Sequence, residues 1–153
     1  MSRKSVLSRA STVKKLLIAV ALVAISGCGV FDDPTPRNIF FEMSGEAGQQ
    51  VRVIYSTQFV AGVNEFGVTR VQVVRSDTIL HEVPFTRAVD ISVDRRWFVQ
   101  AESLGSDTLE VHVIVDVDDR NLVNESGGIF PGDPWHFVYA FNQFLTRDID
   151  VAF

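Results

Sequence analysis

From Asn38 onward, apolar and polar residues alternate in short runs split by Gly, Asn, Asp and Ser. A period of two puts one face of each run in a core and the other in water, as a half-buried strand requires. The first run is Asn38 to Met43, with Ile39, Phe41 and Met43 on one face, and Gly45 to Gln49 is its turn. Gln50 to Ser56 follows, with Val51, Val53 and Tyr55 alternating. Thr57 to Gly67 reads as a longer connection. Val68 to Val74 is the third strand, and Ser76 and Asp77 turn the chain into Thr78 to Glu82, which Pro84 ends. Arg87 to Asp94 sets Val89, Ile91 and Val93 inward, and Arg95 and Arg96 close a turn into Trp97 to Glu102. Leu109 to Val117 is the clearest strand, with Leu109, Val111, Val113, Val115 and Val117 on one face. Asp118 to Arg120 then turns into Asn121 to Glu125. Seven to eight short strands about 10 residues apart predict a mostly β domain, an antiparallel β-sandwich.

The tail breaks this rhythm. Phe130 to Phe144 holds six aromatics. With period two, Trp135, Phe137, Tyr139 and Phe141 form one stripe and the segment is a strand. At the helical period, Phe137, Val138, Ala140, Phe141, Phe144 and Leu145 gather on one arc. Asp133 followed by Pro134 suits an N-cap and a first helical position. Cap and arc together favour a C-terminal amphipathic helix over 134–147, although aromatic content favours a strand. Ile149 to Phe153 fits a last short strand.

The start of the chain has a different pattern. Residues 1–15 carry five basic residues and no acid, and an apolar run from Leu16 follows. This is the layout of a secretory signal peptide. The run is short of the ~20 apolar residues a spanning helix needs. Ile25, Ser26, Gly27 and Cys28 resemble a bacterial lipobox. The resemblance implies cleavage before Cys28, a diacylglycerol on its thiol and acylation of the new amino terminus. Several acyl chains anchor stably where one does not. Gly29 to Arg37, with two prolines and two acids, reads as an extended tether. The expected layout is therefore a signal peptide at 1–27 and a lipidated Cys28 with its tether at 28–37. A sandwich at 38–126 and an aromatic-rich segment at 127–153 packing on it complete the chain. The place is the exported side of the cytoplasmic membrane, or the outer membrane. Gly29 in place of Asp after the Cys points to the latter.

Charge sharpens this picture. All five lysines and arginines of residues 1–27 leave with the signal, and no acid does. Residues 28–153 then hold nine arginines, no lysine and 19 acids, a net charge of −10. Such a domain is a poor partner for nucleic acid, and anionic lipid repels it, so the lipid must supply the membrane affinity. Cys28 is the only cysteine, which leaves no internal disulfide.

Three stretches between Met43 and Asn124 resemble the exported domain of the mycobacterial small membrane proteins, the MmpS-type transport accessory family. They are EMSGEAGQQVRVIYS, LHEVPFTRAVDISV and WFVQAESLGSDTLEVHVIVDVDDRNLV. The resemblance covers about half of the chain. It implies an immunoglobulin-like sandwich acting as an accessory to an envelope transporter. The chain departs from that family in having a lipobox instead of a membrane-spanning helix, and in lacking domain cysteines.

Candidate chemistry is sparse. The sequence has no nucleophile elbow, no Gly-rich phosphate loop and no His-Glu-x-x-His. His81, His112 and His136 fall in separate runs. Asp116, Asp118, Asp119 and Asn121 offer oxygen ligands for Ca²⁺. The Gly and Glu of a full calcium loop are replaced by Asn121 and Gly127, and a polar hairpin turn is the simpler reading. Arg95 and Arg96 read as a solvated turn. The expectation is a non-enzymatic envelope lipoprotein with no cofactor, held to the membrane by its lipid and binding an envelope protein. The alternative is a carrier of an apolar molecule or lipid, bound by Trp135, Phe137, Phe141 and Phe144.

Overall fold

The computed structural model describes residues 35–153. The expected signal peptide, Cys28 and most of the expected tether lie outside the described residues. Alternation of apolar and polar side chains generates ten strands: β1 Asn38–Gly45, β2 Gln50–Val63, β3 Thr69–Glu82, β4 Phe85–Asp90 and β5 Arg96–Ser103, then β6 Leu109–Val117, β7 Arg120–Ile129, β8 Trp135–Ala140, β9 Gln143–Leu145 and β10 Ile149–Ala152. They form two sheets. One has the order β4-β1-β6-β7 and the other β10-β3-β2-β5-β8-β9. Every pairing is antiparallel except that of β10 with β3, which is parallel.

The main core lies between the sheets. Leu109, Val111, Val113, Val115 and Val117 all point into it, as their alternation predicts. Ile39, Phe41 and Met43 join them from β1, and Val51, Val53, Trp97, Val99 and Ala101 face them from the other sheet. Phe41 is fully buried, with its ring 5.6 Å from those of Phe85 and Trp97 and 5.9 Å from that of Trp135. Edge and stacked contacts of this kind add to the gain from area burial.

A second, smaller core lies on the outer face of the six-stranded sheet. It exists because the β2–β3 pairing shifts register between Tyr55 and Phe59. The Ser56 hydroxyl donates to the Arg75 carbonyl and accepts from the Gln58 amide, at 2.6 and 2.9 Å, stitching the irregular stretch. Beyond it the apolar residues change sides, as expected of a bulge. Phe59, Val71 and Val73 pack on Phe98 and Val138 instead of in the main core, with Ile149 and Val151 of β10 against them.

Several expectations are corrected. No helix occurs at 134–147; β8 and β9 occupy it. Trp135, Phe137 and Tyr139 pair along β5 and enter the main core, so burial on a pleated surface outweighs the helical arc. Asp133 does not cap a helix: its amide donates to the Phe130 carbonyl across a tight turn. Residues 127–153 thus supply the end of β7 and three strands of the six-stranded sheet. Thr57 to Val63 continues β2, and β3 runs through Ser76 and Asp77 without a turn. Val93 is 89% exposed in the β4–β5 turn and does not point inward. The last tether residues are packed: Pro36 is buried, and the Asp118 carboxylate accepts from the Arg37 and Asn38 amides.

Candidate binding surfaces

The four aromatic residues expected to bind an apolar molecule divide between two environments. Phe137 is fully buried in the main core. Trp135 is half-buried, stacked on Phe41 and Phe137, and its indole N–H donates to Glu125 at 3.2 Å. Phe144 stacks on Phe137 at 5.9 Å but stays 41% exposed, and Phe141 is 67% exposed. The last two line one surface groove, Trp135 lines a separate cleft, and Phe137 reaches neither.

That groove, about 680 Å³, runs between the free end of the β2–β3 arm and the β8–β9 hairpin. Ala61, Gly62, Val63 and Thr69 form one wall, and Val138 and Ala140 to Leu145 form the other. The hairpin turns in two residues, Phe141 and Asn142, both left-handed at φ 48° and 67°. A two-residue turn with both φ positive matches the twist of the flanking strands, and Asn tolerates it. Phe does not: its Cβ crowds the backbone there at a cost of ~1–3 kcal/mol. The surroundings enforce the turn. The Phe141 amide donates to the Arg95 carbonyl at 3.1 Å. The Asn142 side-chain oxygen accepts from the Tyr139 hydroxyl at 2.9 Å and from Arg120 at 3.3 Å.

A second opening lies along one seam of the two sheets. β7 is the terminal strand of its sheet, ten residues long, without Pro or Lys. Opposite it, β9 covers only Val138 to Ala140 of β8. Among the described residues, nothing pairs with the outer edge of Trp135 to Phe137. A cleft of about 380 Å³ opens between them, lined by Glu125 to Phe130, Asp133 to Trp135, Thr146 and Arg147, with Val111 and Val113 at its floor. At Gly128 a Cβ would come within 2.6 Å of the Thr108 methyl, which would have to shift to make room for it.

The histidines are held by neighbours. The His112 Nδ1 is 2.9 Å from the Ser126 hydroxyl. His136 lies on the outer face, its Nε2 3.0 Å from the Gln100 Oε1. The Gln100 amide nitrogen donates to Glu102, which also pairs with Arg52. The Gln100 oxygen is therefore the acceptor, and His136 donates from Nε2. Burial lowers the His136 pKa, with Asp133 and Glu102 opposing. His81 stacks on Phe85 at 4.1 Å, with its Nε2 3.0 Å from the Tyr55 hydroxyl. The Arg87 guanidinium lies 4.2 Å over the Tyr55 ring. Burial, then Arg87, lowers the His81 pKa, whereas burial pushes the Tyr55 phenol up to about 12 against the pull of Arg87. Sequence reading missed this cluster because its four members come from three strands. The usable signal was register: His81 pairs with Val51, an inward position.

The acidic run Asp116 to Asn121 serves its hairpin. Asn121 donates to Asp116 at 2.7 Å, and Asp118, at φ 50°, accepts from the backbone of Arg37 and Asn38. Among the described residues, no three His, Cys, Asp or Glu side chains are grouped as a metal site requires. Arg95 lies in its turn as expected, but Arg96 begins β5 and donates to the Phe59 carbonyl at 2.9 Å. Comparison of the chain with protein families, curated proteins and solved structures returned no match.

Proposed function

We propose that this protein is a lipid-anchored, non-enzymatic binding module of the cell envelope, an immunoglobulin-like sandwich that accepts an extended segment of a partner protein at its open seam. The observation that carries the reading is the pair of free edges facing one cleft, β7 and the first half of β8. Unpaired N–H and C=O groups along an edge can bind an added strand, and a side-chain pocket beside it gives specificity. Phe130, half exposed, and Trp135 supply that pocket. The lipobox-like Ile25 to Cys28 supports the anchor, and the family resemblance supports an envelope transporter as the class of partner.

A photoreactive residue at Asn124 or Ser126 is the test. In cells, crosslinking from β7 should give one discrete adduct with an envelope protein, while the same residue at Arg75 should not. No adduct, or a diffuse ladder from all three positions, counts against the reading. A second reading is favoured by the outer groove: an apolar molecule or lipid held between the arm and Phe141, Phe144 and Leu145. Native mass spectrometry of the purified protein should then show a co-purifying lipid, and its loss with Leu145→Asp would locate it.

A further inference from the structure

The first described residues and three exposed apolar tips lie at one end of the sandwich. Arg37 is tied there by two contacts: its amide donates to Asp118, in the β6–β7 turn, and its carbonyl accepts from Ile91, in the β4–β5 turn. That second turn holds Val93 and ends at Arg95, whose carbonyl accepts from Phe141. The β2–β3 arm reaches the same end, because Val63 and Thr69 share a groove with Ala140 to Asn142. Its tip turn, Asn64 to Gly67, is closed by the Asn64 side chain, which accepts from the amides of Phe66 and Val68. The tips show Val93, Phe66 and Phe141 at 89%, 81% and 67% exposure. At the opposite end, Leu104 and Phe130 are only about half exposed, at 45% and 54%.

We infer that this end is a membrane-contact surface, and that Phe66, Val93 and Phe141 enter the interface of the bilayer that holds the lipid anchor. The inference rests on the lipoprotein reading. Cys28 is nine residues before Arg37. A chain of that length reaches at most ~30 Å, so an anchored Cys28 keeps the Arg37 end of the domain within that distance of the bilayer. Isolated exposed apolar residues need no explanation, but three on separate turns at the tethered end do. Apolar side chains at an interface add affinity in proportion to the area they bury. The strained Phe141 turn presents one of them outward. The end also carries Glu65, Asp94, Asp118, Asp119 and Asp148 beside Arg37, Arg95 and Arg120. That balance favours zwitterionic over anionic headgroups.

The test places single spin labels on the full chain in phosphatidylcholine vesicles. Cys28 is the only native cysteine, so a lipidated chain has no competing thiol. Labels at Phe66→Cys, Val93→Cys and Phe141→Cys should shift from favouring collisions with a water-soluble nickel chelate to favouring dissolved oxygen. Labels at Leu104→Cys and Ser126→Cys should not shift. Replacing part of the phosphatidylcholine by phosphatidylglycerol should reduce the shift. Tip labels as water-accessible as that at Leu104→Cys overturn the inference. The intact mass of the protein reports acylation separately. If Cys28 is lipidated and the tips stay in water, the contact surface fails and the anchor stands. If Cys28 is unmodified, the labels are read in Cys28→Ser: tips that still reach the bilayer keep the surface without the anchor, and tips that do not end both.

Discussion

Phe141 is in a conformation that suits glycine or asparagine, and its side chain is largely in water. Little packing offsets the strain of a left-handed phenylalanine. Phe141→Asn should therefore stabilise the fold by ~1 kcal/mol, read as a higher midpoint of urea unfolding. A lower midpoint would mean that the ring packs more than its exposure suggests. His136 governs a pH dependence. Its unfolded value is 6.5, and burial holds the folded value lower, outweighing Asp133 and Glu102. Between the two values the unfolded chain binds more protons, so stability rises with pH. The contribution is complete above 6.5 and is lost as pH falls through the folded value. Thermal unfolding followed from about pH 7.5 down to about pH 5 should show a falling Tm. His136→Gln should flatten part of that fall, and His81, lowered by burial and Arg87, carries the remainder.

At the scale of elements, close approach decides more than propensity. β1 and β6 pass so near that a Cβ on Gly45 would lie 2.6 Å from the Glu110 carbonyl oxygen. That atom is backbone in a paired strand and cannot turn aside. Gly45→Ala should cost ~1–3 kcal/mol, whereas Gly62→Ala, with open space around it, should stay within ~0.5 kcal/mol. Equilibrium unfolding of both variants distinguishes them. The tail is the other lesson here. Its arc of Phe137, Phe141 and Phe144 has the helical period, and Asp133-Pro134 suits a cap. Neither survives competition with β5, whose Trp97 and Val99 offer a ready edge to Tyr139 and Phe137. A free edge six residues long is worth more hydrogen bonds and more buried aromatic surface than an isolated helix end.

Over the whole molecule, acidity opposes compactness. With nine arginines against 17 acids in residues 35–153, the folded state concentrates like charge. Ionic screening should relieve it: Tm should rise as NaCl goes from about 20 mM to about 300 mM. A flat response would mean that the acids are far enough apart, or paired enough, to make repulsion negligible. Only two ion pairs, Arg52–Glu102 and Arg70–Asp150, offset it among the described residues. Both have an exposed partner, and neither should contribute more than ~1 kcal/mol.

The sequence by itself determined which residues face inward along β1 and β6, because a period of two sorts side chains before any partner is chosen. It also determined the mostly β class and the charge of the domain. Tertiary structure decided where alternation changes sides, as at the Ser56 bulge that sends Phe59 to the outer face, since a bulge is a property of two paired strands. It decided that 134–147 is two strands, because β5 offered an edge that no local pattern reveals. It also brought Arg37, Val93, Phe66 and Phe141 to one end: three turns and the start of β1, far apart in sequence, share a surface only once both sheets have closed on their core.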